Sequence, residues 1–438
     1  MTTRESEIDF DQHGQRYAME FEDVADETLG KGPLVWTENY GGFWVIGNHK
    51  GLSAASKKPE LFSSDHDPEG QRGGPQYQGN LIPEQSKMNG GFIESDPPTQ
   101  LEYRRVLNPY FSPAAVQRWR PLTIDVTRAC LDDVVETGRI DFVEDLANIV
   151  PAVLTMAMAG LPLADWYVYS EPIHAFVYTP KGSPDAERVD QLLAAMFAHL
   201  QGKIDEARVV RRPGLLDALM SARIEGAELT NEDVQREMFP LIAGGLDSNT
   251  ALIANTLEWL GDHPDERARL QSDPELVVSA TEEFLRIVSP VRGNARTVTE
   301  PCRFAGSELV EGDRVYLAWA IANRDPSVFD NPHNVVLDRP HNRHVAFGAG
   351  VHRCIGAPIA RMTFQVMLSE VVSRLPDYRC DPSATIRYDT IGVINGMKRL
   401  EATFSPGKRQ GPSLAETLAR LQDELNTSDA PSAGAVGG

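Results

Sequence analysis

Cys354 stands in the segment Phe347-Gly348-Ala349-Gly350-Val351-His352-Arg353-Cys354-Ile355-Gly356, a glycine-lined, charge-flanked loop. The chemistry of such a cysteine is that of a thiolate, because sulfur ligates a metal or attacks a carbon only once it has lost its proton. Beyond it, Ile359, Met362, Val366 and Leu375 recur at helical spacing, and Pro358 falls in the first turn, where a missing N–H costs nothing. A helix starting there turns its unpaired N–H groups and positive dipole end toward Cys354, which favours thiolate over thiol. Gly348, Gly350 and Gly356 let the backbone approach a flat group without Cβ obstruction. A thiolate beneath a planar ligand is one way proteins hold haem iron. A lone cysteine is also compatible with a small buried hydrophobe. His341, His344, His352 and Cys354 could ligate zinc, but their spacing matches no paired C-x2-C or H-x3-H unit. Gly348-Ala349-Gly350 lacks the third glycine of a dinucleotide fingerprint.

A second chemical segment is Ala243-Gly244-Gly245-Leu246-Asp247-Ser248-Asn249-Thr250, set inside a strong helical pattern. Two glycines cost roughly 1 kcal/mol each against alanine in a helix interior. Ser248 can bond back to the carbonyl of Gly244 and loosen the turn. Such a cost implies close backbone approach, a local groove, or a helix–helix contact. Glu283-Phe284-Leu285-Arg286 sets opposite charges one turn apart on a helix, a common arrangement that gains weight from Phe329-x-x-Pro332 and Asp338-Arg339 downstream.

The elements that must position these residues are mostly helical. Apolar periodicity predicts helices over about 114–136, 141–159, 188–208, 231–262, 274–288 and 356–375. Short alternating segments near 296–304 and 308–320 predict a small β element, with Gly306 and Gly312 marking its turns. Residues 1–30 are polar and are expected as a loose arm. The Gly/Gln/Pro-rich stretch 67–91 is expected as a functional cover or a disordered loop. At the other end, Ser413-Leu414-Ala415-Glu416 reads as a capping box. Leu414, Leu418, Leu421 and Leu425 then form an apolar stripe, to pack on the body or meet a partner. Beyond Asn426 the composition is that of a disordered end.

Composition narrows the function classes. The chain has 438 residues and 41% hydrophobic content, enough for a sizeable core. No run of ~18 apolar residues occurs and the N-terminus is polar, so a soluble, cytoplasmic protein without membrane association is expected. Four widely spaced cysteines (Cys130, Cys302, Cys354 and Cys380) form no disulfide framework. A net charge of −21 argues against nucleic acid. Between Arg339 and Arg361, by contrast, there are four arginines, three histidines and no carboxylate. That basic face suits both buried anions and an acidic electron donor.

The ten-residue cysteine segment resembles the haem-binding loop of the cytochrome P450 superfamily, with Cys354 at the axial thiolate position. The resemblance spans roughly residue 30 to residue 405. It implies a mainly α fold with a small β subdomain and a long central helix over the haem. The implied organisation is an N-terminal arm 1–30, a haem domain 31–405 and a tail 406–438. Gly245-Leu246-Asp247-Ser248 resembles the family's oxygen-binding Gly-x-(Asp/Glu)-Thr, with serine in place of threonine. The resemblance makes Asp247 a proton relay and Ser248 the holder of a hydrogen-bonded water, while Gly245 lies beside the cofactor. Serine keeps the hydroxyl but lacks the methyl that limits rotamers. Glu283, Arg286 and Arg339 match the Glu-x-x-Arg pair and meander arginine that hold the cysteine loop.

The resemblance also implies heme b as cofactor, whose propionates need cationic or hydrogen-bonding partners when buried. Arg104, Arg296 and His352 are matched to that role, and Phe347, Gly348 and Gly356 to the cofactor-binding loop. Asp96-Pro97-Pro98-Thr99-Gln100-Leu101-Glu102-Tyr103-Arg104 matches a family motif in which Gln100 replaces a histidine. Leu81, Ile82, Leu241, Val291 and Asn294 are expected at the substrate wall. Trp166, Tyr167, Tyr169, Phe176 and Tyr178 fall near a lid or in the core. The implied reaction inserts one oxygen atom of O2 into a C–H bond of a hydrophobic small molecule (terpenoid, steroid-like or aromatic). Electrons would come from NAD(P)H through a ferredoxin, docked near Cys354, and its reductase. A peroxide-driven or non-oxygenating haem-thiolate enzyme and a non-catalytic haem protein are the alternatives.

Overall fold

The structure, a computed structural model, describes residues 7–66, 78–83, 90–180 and 182–427. The described chain is mainly helical with small sheets, as the resemblance implies. Its principal helices, in chain order, are α1 (Phe21–Lys31), α2 (Thr99–Leu107), α3 (Arg120–Val134), α4 (Ile149–Ala159), α5 (Trp166–Tyr178), α6 (Ala186–Val209), α7 (Asn231–Asp262), α8 (Leu276–Val288), α9 (Ala357–Arg374) and α10 (Leu414–Thr427). The largest sheet contains β1 (Val35–Thr37), β2 (Phe43–Ile46), β3 (Phe62–Ser63), β4 (Asn294–Val298) and β5 (Arg314–Leu317).

Several boundaries depart from the periodicity. The expected 114–136 helix is split into Pro113–Gln117 and α3, each with proline in its first turn. The expected 141–159 helix begins instead with a strand, Arg139–Asp141, and a wide π turn, Val143–Ala147, ahead of α4. Both segments are apolar on the helical period, and that pattern alone does not register a break in backbone geometry. Helix α7 runs unbroken for 32 residues through Pro240 and both glycines. Its start is fixed by the capping box of Thr230 and Asp233.

The chain divides into two compact units. The first holds the described residues of Met1–Tyr103, Glu282–Cys354 and Asp389–Asn395. Its sheet has the order β1-β2-β5-β4-β3, antiparallel except for the parallel pair β2–β5. The expected loose arm is folded from residue 7 onward. Ile8, Phe10, Tyr17 and Phe21 are buried in an apolar cluster with Phe43, Ala295 and Tyr316. Phe10 packs edge-on against Tyr17 and Phe43. The many charges of this segment mask a sparse apolar set, and burial of a few large side chains is enough to order it.

The second unit holds the described residues of Arg104–Thr281, Ile355–Tyr388 and Gly396–Gly438. Helix α9 packs on α3 and α7, and α7 on α4, α5 and α6. The capping box at the start of α10 is present, with Ser413 N–H and hydroxyl both donating to Glu416 at 2.8 Å. Helix α10 lies on α3 with Leu418 and Leu421 buried. Arg420 pairs with Asp125 at 2.7 Å, and Gln422 accepts from the Leu163 N–H at 2.8 Å. The leucine stripe therefore packs on the body. Most of the proposed 67–91 cover and the chain beyond Thr427 lie outside the described residues.

Candidate functional site

In the first unit, the segment leading to Cys354 is folded back on itself. The Gly348 N–H donates to the Val345 carbonyl and the Cys354 N–H to the Phe347 carbonyl, both at 2.8 Å. Gly348 and Gly350 both have φ +68. At Gly350 a Cβ would stand 1.8 Å from the Ser56 carbonyl oxygen, so only glycine fits. Gln100 is wholly buried and its Nε2 donates to the Val351 carbonyl at 2.8 Å. Its amide thus braces the loop backbone. His352 Nε2 lies 3.2 Å from Ser64 Oγ.

Of the four cysteines, Cys354 is the exposed one. Burial pushes the thiol of Cys380 up to about 12, and raises those of Cys130 and Cys302 as well. Cys354 is thus not the small buried hydrophobe that a lone cysteine can be. His344 is engaged by Glu282, Nε2 to Oε2 at 3.0 Å, which removes it from a zinc set. Among the described residues no three His, Cys, Asp or Glu side chains gather as a metal site.

The loop is backed by an ion network in the same unit. Glu283 and Arg286 pair at 2.8 Å with no side-chain exposure. Arg339 Nε reaches Glu283 at 3.0 Å, the Val336 N–H donates to Glu283 at 2.8 Å, and Asn342 adds a bond at 3.1 Å. Arg286 also donates to the carbonyls of Asn323, Pro332 and Asn334 at 2.9, 2.6 and 2.9 Å. Burial works to raise the Glu283 carboxyl, but the bonds from Arg286, Val336 and Arg339 outweigh it and hold it below its ordinary value. The sequence-matched trio is therefore brought together. Its assembly also consumes part of the basic stretch: Arg339 and His344 face acids, while Arg343 and Arg353 are exposed.

Arg296, on β4, is buried, and its Nη1 donates to the adjacent Ala295 carbonyl at 2.7 Å. Burial lowers its pKa to about 10, opposed by the charges of Asp96 and Glu94. It stays cationic at neutral pH, and no described carboxylate forms an ion pair with it. An exposed thiol, a loop with glycine where a Cβ cannot fit, and a buried cation short of an anion together suit heme b with its two propionates.

The wall candidates fare unevenly. Ile82 lies in the apolar cluster with Phe10 and Tyr316. The Asn294 side-chain carbonyl accepts from Trp319 Nε1 at 3.0 Å. Val291 pairs with Ile394 in an isolated β-bridge and packs on the core, and Leu81 is half-buried. In the second unit, Leu241 is buried on α7 and Arg104 is half-buried on α2.

The glycine-bearing part of α7 also lies in the second unit. A Cβ at Gly245 would stand 2.5 Å from Thr155 Oγ1 on α4, so this glycine serves a helix–helix contact, whereas Gly244 meets nothing. The Ser248 hydroxyl donates to the Gly244 carbonyl and Asn249 Nδ2 to the Gly245 carbonyl, both at 3.1 Å. Thr250 faces away and donates to the Ala147 carbonyl at 2.7 Å. Asp247 is buried, and its Oδ1 accepts from the Tyr388 hydroxyl at 2.6 Å and lies in hydrogen-bond contact with Nδ1 of His174 on α5. Neither partner stands near a motif. The usable signal was the acid itself, since a buried carboxylate requires donors.

The cytochrome P450 family model matches residues 164–376. The chain is 31% identical to the cytochrome P450 monooxygenase PikC of Streptomyces venezuelae, over 76% of this chain and 80% of that protein. It is 29% identical to a steroid C26-monooxygenase of Mycolicibacterium smegmatis, over 83% and 90%. Among solved structures, CYP109E1 from Bacillus megaterium in complex with testosterone superposes with a TM-score of 0.77 at 28% identity, covering 89% of this chain and 99% of that one. Related in this way over most of its length, the chain belongs to the cytochrome P450 family and is an oxidoreductase of the monooxygenase class.

Proposed function

We propose that this protein hydroxylates a steroid-like hydrophobic molecule in the cytoplasm, drawing electrons from NAD(P)H through a ferredoxin reductase and a ferredoxin. The observation that carries the haem-thiolate reading is the exposed Cys354 in a loop braced by Gln100 and backed by the Glu283–Arg286–Arg339 network. The steroid-like class is supported by the resemblance to the steroid C26-monooxygenase and to the testosterone complex of CYP109E1.

In this reading Cys354 holds the iron of heme b as thiolate, and Phe347, Gly348 and Gly356 form the loop around it. Arg296, Arg104 and His352 neutralise or bond the propionates, while Gln100 keeps the Val351 carbonyl, and so the loop, in place. The haem, when bound, supplies activation of O2 for insertion into an unactivated C–H bond. The balance is substrate, O2, two electrons and two protons giving hydroxylated product and water. The chain supplies orientation and protons. Asp247 passes protons from its carboxyl group, and Ser248, its hydroxyl tied to the Gly244 carbonyl, holds a water beside Gly245. Leu81, Leu241 and Val291 supply apolar wall, and the exposed Arg343 and Arg353 attract an acidic ferredoxin.

Two optical measurements test the proposal. Reduced protein exposed to carbon monoxide should show the strongly red-shifted Soret band of thiolate ligation, and the Cys354→Ser variant should not. Testosterone added to ferric protein should shift the spectrum from low to high spin. A missing red-shifted band would overturn the haem-thiolate reading, and a silent testosterone titration would overturn the steroid-like substrate class.

A further inference from the structure

Asp247 on α7 is held by side chains from two other segments of its unit. Tyr388 O–H donates to Oδ1 at 2.6 Å, and Nδ1 of His174 meets the same oxygen. Among the described residues, the second carboxylate oxygen, Oδ2, is buried without a hydrogen-bond partner, and so is Nε2 of His174. Asp247 and His174 are 1% and 7% exposed, so bulk water does not satisfy these atoms. Leaving a buried carboxylate oxygen unbonded is costly, while two donors on the other oxygen are each charge-assisted. The asymmetry reserves one oxygen.

We propose that His174 and Tyr388 are positioning residues for Asp247: they fix Oδ1 with two donated hydrogen bonds, so that Oδ2 is the oxygen that exchanges protons during oxygen activation. The inference rests on the monooxygenase reading, in which Asp247 relays protons. For Nδ1 to donate, neutral His174 must carry its proton on Nδ1, leaving Nε2 as an acceptor. Burial and the charge of Asp247 push the Tyr388 hydroxyl far up, so it remains a donor. The Tyr178 ring packs against Tyr388 at 5.3 Å, with the Lys398 ammonium over that ring at 4.3 Å, and the charge of Glu144 adds to the upward push on the Tyr388 hydroxyl. Neither Lys398 nor Glu144 hydrogen-bonds Asp247, so the two bonds from His174 and Tyr388 define its orientation.

The test uses the haem-loaded protein and the variants His174→Asn, His174→Leu and Tyr388→Phe. First, 15N-histidine NMR of the reduced, carbon-monoxide-bound protein should reveal a neutral histidine protonated at Nδ1, with a strongly deshielded proton, whose signals vanish in His174→Asn. A proton on Nε2 instead would overturn the clamp, and this reading needs no variant but the one that assigns the signal. Second, decay of the dioxygen complex of the reduced protein is followed by stopped flow in H2O and D2O, without substrate. His174→Asn, whose amide keeps a donor near the Nδ1 position, should decay as the parent does. His174→Leu and Tyr388→Phe should differ by about tenfold, the size of one charge-assisted bond, with a changed solvent isotope ratio. Parent-like decay in both would overturn the proposal, as would a parent-like ratio. Failure of the underlying reading has a different sign: the parent itself would lack the thiolate carbon-monoxide band.

Discussion

Glu283 and Arg286, one helical turn apart on α8, pair at 2.8 Å with both side chains closed to solvent. The carboxylate also takes Arg339, the Val336 N–H and Asn342, so it is the hub of the segment that precedes the cysteine loop. Removing it as Glu283→Ala leaves two guanidinium groups without their counter-ion, at a cost of about 3–5 kcal/mol. Denaturant unfolding should show that loss, and the variant should purify with little haem. Normal haem content would show that the network does not hold the loop.

The same group sets a response to acid. Because the Glu283 carboxyl lies below its ordinary value in the folded protein, it contributes stability above the unfolded value of 4.5. That contribution declines as pH falls below 4.5 and is gone once pH passes the depressed folded value. Both arginines stay charged throughout. Melting temperature should therefore fall between neutrality and acid more steeply in the parent than in Glu283→Ala. Parallel pH profiles would remove Glu283 from the acid response.

Short-range spacing made the motifs legible. The Glu283–Arg286 pair, the capping box at Ser413 and the limits of α7 all depend on residues within a few turns of each other. What escaped depends on distant chain. His174 and Tyr388 lie 73 and 141 residues from Asp247, and nothing local marks either as its donor. The burial of Phe10 and Tyr17 likewise depends on Phe43 and Tyr316, far along the chain. Gln100 was matched to the cofactor-binding set by its position in a motif, but that motif does not reveal that its amide donates to the Val351 carbonyl, 251 residues away.

Gly350 offers a sharp steric test. It has φ +68, and an added Cβ would collide with the Ser56 carbonyl oxygen, a backbone atom that cannot rotate away. Gly306, with φ +96 and nothing within 4 Å of its virtual Cβ, provides the control for backbone strain alone. Gly306→Ala should cost about 1 kcal/mol, whereas Gly350→Ala should exceed it by at least about 1–3 kcal/mol and reduce haem retention. Equal unfolding midpoints for the two variants would dismiss the collision.

Arg343 is exposed and its backbone carbonyl is bonded by His49, so its side chain can be changed without breaking a named contact. Arg343→Glu should slow reduction by an acidic ferredoxin severalfold at low salt, and the difference should shrink as ionic strength rises and the Debye length falls to about 8 Å or less. Stopped-flow reduction across a salt series reads both effects. A deficit independent of salt would point away from docking by charge.

Gly245 separates helix propensity from packing. In an isolated helix, glycine to alanine gains about 1 kcal/mol. Here the new Cβ would stand 2.5 Å from Thr155 Oγ1 and 3.3 Å from its Cγ2, while the Thr155 hydroxyl is tied to the Pro151 carbonyl at 2.8 Å. The side chain is short, so α4 and α7 must move apart or Thr155 must abandon its rotamer. Overpacking of this kind costs about 1–3 kcal/mol, which outweighs the propensity gain. Gly245→Ala should therefore destabilise, and adding Thr155→Ala should return part of the loss, since the nearest remaining atom is the Cβ at 3.5 Å. The interaction energy from the double-mutant cycle should be favourable to the pair and of order 1 kcal/mol. Additive effects would mean that the glycine serves the groove beside Asp247 and not the contact between the two helices.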